Sequence, residues 1–531
     1  MNTKFFQRIE TSHKQIVIGF FVLFFSVALI IIKDYGLNWD EKMQWKANGE
    51  LAFTYMLHPD LKREALLSSS EKYHGPAFEI LLVIFEKILH LKDTHDVYLM
   101  RHVITFLTFF ASVICFYFLC KYCFKSWKIA LMGCIFIVLS PRIFADSFYN
   151  SKDLPFLSFF IFGMYALLIF HEKPTYKNAI LFGIVSAFAI DIRIMGIILP
   201  AISVLFFCTD TLCVFRNKDT AKWYFKEFIL FVVCTVLFTI AFWPVLWEGP
   251  VHHFANAFAE MSKFPWAGIV LYKGDYLYST KLPWHYLPVW IGITTPIPYL
   301  VLFLLGISYI AYNLGKAPRS FFFYEKAQQL VFICSILIPA TIIILKSAVY
   351  DAWRHVFFIY PAFIMVALYG VIVIYKWVRK KEFMIVGLIL LAGINLVMMI
   401  RLHPYEYVYF NAFAGNDMKE IKDNFELDYY GVSSKDALEY ILNNDTSAVI
   451  SIYPEHHPQE INVDYLSKKQ RDRIKIVPFK EATYFIGQYR YLQKKYYFEK
   501  EFFSVMVENA SIMSVYKLTD KDKQTYYLQY Q

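Results

Sequence analysis

Apolar residues do not alternate with polar ones along this chain; they come in long blocks. One block runs from Ile16 to Ile32, and others occupy about 99–120, 129–143, 154–170, 178–191, 195–213, 227–246, 286–312, 328–346, 355–375 and 383–401. Blocks of this length and composition predict membrane-crossing helices, roughly eleven of them. The first follows Lys4, Arg8 and Lys14 and has no small-residue cleavage site. It reads as an uncleaved span with its N-terminus inside.

The polar stretches between the blocks test that order. Alternate connections hold Lys121, Lys125 and Lys128; Lys173 and Lys177; Arg216, Lys218, Lys222 and Lys226; Lys316, Arg319 and Lys326; and Lys376, Arg379, Lys380 and Lys381. All fall on the side of the N-terminus, as short cytoplasmic loops should. Three pieces on the other side are long: 33–98, 247–285 and everything after Arg401. In the first, Trp39, Met43, Ala47, Leu51 and Tyr55 form an apolar stripe, with Asp40, Gln44 and Asn48 beside it. That pattern predicts a helix lying in the membrane interface. Gly75–Leu91 is apolar but broken by Glu79, Glu86 and Lys87. It reads as a second surface helix, with a further span as the alternative. After Arg401 the chain turns polar; Ala448–Tyr453, Arg473–Val477 and Ser511–Tyr516 predict strands, and Ser434–Asn443 a helix. The expected architecture is an α-helical polytopic membrane protein over 1–401, with a small extracytoplasmic α/β domain over 402–531.

Composition narrows the class. Of 531 residues, 57% are hydrophobic and 18% charged, and mean hydropathy is +0.41, which excludes a soluble multidomain enzyme and a disordered chain. Aromatics at 19% suit a protein with much surface at the headgroup level. In such a protein the net charge of +9 says little about nucleic acid, since the position of Lys and Arg matters more than their sum, and no basic tract interleaved with aromatics points to it. Eight cysteines fall in or beside apolar blocks, so no disulfide framework is expected. Cys120 and Cys123 form a CxxC without a second pair, which leaves zinc or redox use unsupported.

The candidate chemistry sits in the outward connections: Asp40 and Glu41; Arg142, Asp146, Lys152 and Asp153; Asp191 and Arg193; Trp284, His285 and Tyr286; Asp351, Arg354 and His355. Each alone is an ordinary loop residue; gathered at one face they describe a site. Asp40 is a candidate general base, its pKa raised by low-dielectric surroundings, or it opens an interfacial helix. Asp153 precedes Pro155 and either caps a helix or lines a cavity, and Lys152 beside it suits a phosphate. Arg193 either pairs with Asp191 or meets a ligand. Arg354 and His355 open a span, where the arginine binds phosphate or reaches lipid headgroups. Glu41, Asp146 and Glu426 lack the His spacing of a metal site; no cofactor is assigned and a divalent ion stays open.

The acidic Asp40-Glu41 pair after an uncleaved first helix, the amphipathic first outer loop, Lys152-Asp153-Leu154-Pro155 and Trp284-His285-Tyr286 together resemble the GT-C superfamily of polyprenyl-phosphate-sugar-dependent glycosyltransferases. The nearest branch holds protein O-mannosyltransferases and lipid A aminoarabinose transferases. The resemblance covers about the first 400 residues. His403–Asn411 and Phe425–Gly431 are similar to the join to the extracytoplasmic domain in bacterial members. The resemblance implies a sugar donor on an isoprenoid phosphate, a lipid, glycan or protein acceptor, and inverting attack at the outer face of a bacterial inner membrane. It implies Asp40 as base, with Glu41 beside it, and Asp153 in the same cavity. It also implies Arg193 and Arg354 at the phosphate and His285 toward an acceptor or donor headgroup; Lys152 and His355, read from the residues themselves, join them as candidate binders. No added lumenal repeat domain is present, which weakens the case for a protein acceptor. The competing class is a transporter or flippase of polyprenyl-linked lipids. Such proteins tend to place ionisable groups at mid-span and to repeat their halves, and neither feature is found here.

Overall fold

The computed structural model describes residues 13–213, 218–262, 266, 268–491 and 496–529. Lys4, Arg8 and Arg216, counted above among the basic loops, lie outside the described residues.

Nine helices among the described residues are long and apolar enough to cross a membrane: His13–Asp34, Thr94–Phe124, Asp153–Glu172, Ile194–Thr211, Tyr224–Phe242, Ile297–Lys316, Lys326–Ile344, Arg354–Trp377 and Lys381–Leu402. The pair Trp127–Val138 and Pro141–Tyr149, bent by 70°, counts as a tenth if taken as one span. The bend falls at Ser140-Pro141, where proline removes a backbone donor and restricts the residue before it. Tyr176–Ile192 is shorter, at 17 residues, and just as apolar. The predicted block 286–312 divides into Tyr286–Thr294 and Ile297–Lys316 for the same reason, since Pro296 breaks it.

Arg354–Trp377 and Asp153–Glu172 form the middle of the bundle, their apolar stretches 89% and 78% buried. Two close backbone crossings pack it. A Cβ on Gly306 would stand 1.8 Å from the Val366 carbonyl oxygen, and one on Gly370 would stand 2.0 Å from that of Leu302. Only glycine lets these two helices approach so closely. Phe303 stacks on Phe363 across the same crossing, and Phe182 on Phe231 between Tyr176–Ile192 and Lys218–Phe242. At one end of the bundle a buried polar clasp joins four helices. His171 Nε2 lies 2.9 Å from Ser203 Oγ, the Tyr224 hydroxyl lies 2.6 Å from His171 Nδ1, and Lys326 donates to Asp210 at 2.5 Å. Each polar group there finds a partner, as burial requires.

At the other end the first loop folds back over the bundle. Glu41 to Leu57 is a continuous helix with a π-helical stretch at Gln44–Glu50. Both stripes contribute buried residues: Gln44 and Asn48 are buried, as is Tyr55, while Met43 is exposed. Partners explain this, since Gln44 donates to Glu71 at 3.0 Å and Asn48 to Gln44 at 3.2 Å. Ala77–Ile88 packs at the same end with seven of its twelve residues buried, Glu79 bonded to Arg101 and Ser151, and Glu86 receiving Trp45 Nε1 at 2.9 Å.

The C-terminal part carries a five-stranded sheet. A separate hairpin pairs β1 (Ile269–Tyr272) with β2 (Asp275–Tyr278); the sheet holds β3 (Ile450–Pro454), β4 (Ile474–Ile476), β5 (Tyr484–Gln488), β6 (Glu501–Val507) and β7 (Ala510–Lys517) in the order β4-β3-β5-β7-β6. β3 is parallel to β4 and β5, while β7 is antiparallel to β5 and β6. Helix His457–Tyr465 locks this part to the first loop. Asn462 accepts from Leu37 N at 2.9 Å and donates to the Leu37 carbonyl at 3.0 Å, so its amide acts as one rung of a β-ladder. Lys42 pairs with Asp464 and Arg471 with Asp93 across the same seam. The seven described cysteines are free.

Candidate active site

The loop after the first span sends two adjacent carboxylates in different directions. Asn38 Oδ1 accepts from Asp40 N at 2.8 Å, and Asn38 Nδ2 donates to the Tyr149 carbonyl at 2.8 Å, which fixes the turn. Glu41 turns inward: it accepts from Asn38 N at 2.9 Å and lies 3.1 Å from His102 Nε2, both side chains fully buried. Asp40 turns toward the bundle axis and meets Arg354.

Arg354 is the hub. Its Nη1 lies 2.7 Å from Asp40 Oδ2 and 3.5 Å from Asp153 Oδ2, and its Nη2 lies 3.0 Å from Asp351 Oδ2. Asp153 in turn binds Arg193 through its other oxygen. Asp153 is therefore the first residue of its helix and not its cap; Asn150, ahead of the helix, accepts from Asp153 N at 2.8 Å and from Lys152 N at 3.3 Å. Nor does Arg193 pair with Asp191. Asp191, two residues earlier at the end of helix Tyr176–Ile192, is fully buried with both oxygens unbonded.

Around this core stand further groups, among which Glu71, His74 and Arg490 were not singled out by the spacing of the sequence. Glu71 lies 2.9 Å from His74 Nδ1 and faces Lys152. Asn150 Nδ2 donates to Asp153 at 3.1 Å and to the Tyr430 hydroxyl at 2.8 Å, and the Arg354 guanidinium lies over the Tyr430 ring. Asp146 receives Tyr149 at 2.7 Å. Arg490, from the C-terminal part, donates to Asp351 Oδ1 at 2.6 Å. His355 packs edge-on against Tyr350, within electrostatic reach of Arg193, Lys152 and His74.

The electrostatics follow from these neighbours. Burial pushes the Asp40 carboxyl up, but Arg354 outweighs it, aided by Lys152 and Arg490, and holds the group at about 2. The expected rise is thus reversed, because the nearest charge is a cation. Glu71 behaves alike: burial raises it, and His74 and Lys152 bring it down to about 2. Burial pulls the Lys152 ammonium below its ordinary value, against the attraction of Glu71.

Three cations here have donors to spare. Arg193 Nε and Arg354 Nε are buried without a partner, and among the described residues Lys152 Nζ makes no hydrogen bond. Unspent N–H groups on neighbouring cations suit a phosphate. Of the eight residues expected at the site, Asp40, Lys152, Asp153, Arg193, Arg354 and His355 come together. Glu41 and His285 do not. His285 lies beside the Tyr272 hydroxyl, 2.6 Å from Nδ1, and against Trp284, at the head of helix Tyr286–Thr294. Among the described residues no group of three or more His, Cys, Asp or Glu is arranged to hold a metal ion.

Residues 73–247 match the model of the dolichyl-phosphate-mannose-protein mannosyltransferase family. That stretch contains Lys152, Asp153 and Arg193. No curated protein is significantly similar to the chain. Among solved structures, ArnT from Cupriavidus metallidurans in the apo state shares 12% identity, with 94% of this chain and 97% of that one covered at a TM-score of 0.50. The same enzyme bound to undecaprenyl phosphate shares 14% identity over 87% and 86% at 0.48. The Archaeoglobus fulgidus oligosaccharyltransferase tethered with an acceptor peptide shares 12% over 88% of this chain and 64% of that one at 0.49. The family match covers about a third of the chain and the likeness to apo ArnT is one of fold; together they support an integral membrane glycosyltransferase of the GT-C type.

Proposed function

We propose that the chain moves a sugar from a polyprenyl-phosphate donor to an acceptor hydroxyl, with inversion, at the outer face of a bacterial inner membrane. One observation carries the reading: Arg354 holds Asp40 and Asp153 on one side of a cluster whose remaining cation donors are unspent. The matched family is itself described by a dolichyl-phosphate sugar donor, which supports a lipid phosphate as the ligand of those cations.

The geometry suggests an order of events. Lys152, Arg193 and Arg354 receive the donor phosphate, and a phosphate taking Arg354 competes with Asp40 for it. Asp40, released from the guanidinium, becomes a stronger base. It accepts the acceptor hydroxyl proton as that oxygen attacks the anomeric carbon. The bond from that carbon to the phosphate oxygen breaks, and its electron pair leaves on the phosphate, held by the cations. Asp153 keeps Arg193 and Arg354 in place and touches no reacting atom. Glu41 and His285 take no chemical part in this scheme.

Residues 1–401 form the catalytic membrane domain in this reading, and 402–531 an extracytoplasmic domain closing over the site. The orientation is supported by Lys173 and Lys376, at the far ends of the helices that Asp153 and Arg354 open. The acceptor is a lipid, a glycan or a protein, and mass spectrometry of membrane glycolipids and glycoproteins with and without the gene tests the proposal. Loss of one sugar from a defined acceptor, restored by the intact gene, is expected; unchanged glycolipids and glycoproteins would contradict it.

A further inference from the structure

The C-terminal part reaches the charge cluster through one side chain. Arg490 follows β5 and is buried; its Nη1 donates to the Tyr429 carbonyl at 2.7 Å and its Nη2 to Asp351 Oδ1 at 2.6 Å. Its guanidinium also lies 5.0 Å from the ring centre of Trp39, the residue before Asp40. Asp351 passes its second oxygen to Arg354 Nη2 at 3.0 Å, and Arg354 Nη1 continues to Asp40 at 2.7 Å. Arg490, Asp351, Arg354 and Asp40 are thus linked head to tail from three distant parts of the chain. The turn that presents Asp351 is unusual: Asp351 and Ala352 have φ of +53° and +61°, a conformation that L-residues rarely adopt. Such a turn persists where its surroundings hold it, and Arg490 and Arg354 hold Asp351 by both oxygens.

The charge arithmetic gives the chain a direction. Asp351 is buried and carries one negative charge shared between two guanidiniums. Without Arg490 its whole attraction falls on Arg354, which then has less to offer Asp40, Asp153 or a ligand. We propose that Arg490 is a positioning residue for sugar transfer: by neutralising Asp351 it keeps Arg354 directed at Asp40 and the lipid phosphate, so that the C-terminal part completes the site. The inference rests on the reading of Arg354 as a phosphate ligand. It assigns Arg490 no contact with reacting atoms.

The test uses the full chain in nanodiscs, with undecaprenyl phosphate as probe and undecaprenol as its phosphate-free control. Arg490→Gln, shown folded by gel filtration and thermal unfolding, is expected to bind undecaprenyl phosphate roughly tenfold more weakly, as loss of an outer support typically does. Arg490→Lys keeps the charge but not the second bond to Tyr429, and is expected to fall between the two. The decisive variant is Arg490→Gln with Asp351→Asn. Removing the orphaned carboxylate should restore binding to about threefold of the parent, which a general loss of structure would not do. Arg490→Gln binding as the parent does, or a double variant as weak as the single one, overturns the inference. If Arg490→Gln does not fold, the double variant decides alone on the same threefold and tenfold limits. Lys152→Gln separates the two readings. If the parent prefers undecaprenyl phosphate over undecaprenol and Lys152→Gln loses that preference, the phosphate site stands whatever Arg490 does. If there is no preference to lose, the phosphate site itself fails, and the inference with it.

Discussion

Arg354 and Asp40 are 314 positions apart in sequence and 2.7 Å apart in space, joining the first outer loop to the central helix of the bundle. The pair is largely shielded from solvent, with side-chain exposures of 7% for Arg354 and 24% for Asp40. It holds Asp40 ionised, and in the proposed reaction it links the proton acceptor to the group that receives the leaving phosphate.

The neighbouring carboxylate predicts a contrast. Glu41 is buried against His102 and the Asn38 amide, so Glu41→Gln should leave the Asn38 contact and lose the His102 pair. Stability should fall by about 1–3 kcal/mol, read as a lower melting temperature in detergent. Transfer per folded molecule should remain close to that of the parent.

A second ion cluster predicts a pH dependence. His403 Nδ1 lies 2.9 Å from Glu406, and its Nε2 lies 2.9 Å from Asp34 at the end of the first span. Burial lowers the imidazole, but Glu406 and Asp34 outweigh it and raise His403 from 6.5 to about 9. A folded-state value above the unfolded one gives stability that is complete below pH 6.5 and is lost as pH rises through about 9. With Asp34 half exposed, the contribution is about 1–2 kcal/mol. Melting temperature should fall over this window, and His403→Gln should flatten that fall.

Packing predicts a third outcome. Since a Cβ at Gly306 would meet the Val366 carbonyl oxygen at 1.8 Å, Gly306→Ala must push Ile297–Lys316 away from the central helix. A loss of about 1–3 kcal/mol or more is expected, seen as less monodisperse protein and a lower melting temperature. Gly292→Ala, with nothing within 4 Å of the added carbon, should be neutral.

Much of this architecture was legible because lipid imposes a simple rule on sequence. A span must be apolar over its length, so the blocks from Ile16 to Arg401 mark helices that the structure contains, with breaks that include Pro141, Pro244 and Pro296. The strands near Ile450, Ile474 and Ala510 showed for a similar reason, being short β-branched runs between polar turns. β5 and β6 were less visible because Gly487, Gln488, Glu501 and Ser504 interrupt their patterns. The site was half legible. Charges at span ends pointed to Asp40, Asp153, Arg193 and Arg354. Which of them pair is decided by long-range contacts, so Arg193 was as near to Asp191 in sequence as it is to Asp153 in space. Glu71, His74 and Arg490 carried no local signal. They lie in polar stretches where a charged residue is ordinary, and only the fold turns them inward. The amphipathic stripe from Trp39 did not show that its polar neighbours are buried too, because Gln44 and Asn48 find hydrogen-bond partners inside.

The most direct measurement is release of free polyprenyl phosphate by the purified chain in proteoliposomes supplied with lipid-linked sugars and acceptor from its native membrane. The parent protein should release it and Asp40→Asn should fall by about 10²–10⁴-fold, as loss of a general base does, while remaining folded and still binding undecaprenyl phosphate. Release by folded Asp40→Asn at the parent rate would contradict the account.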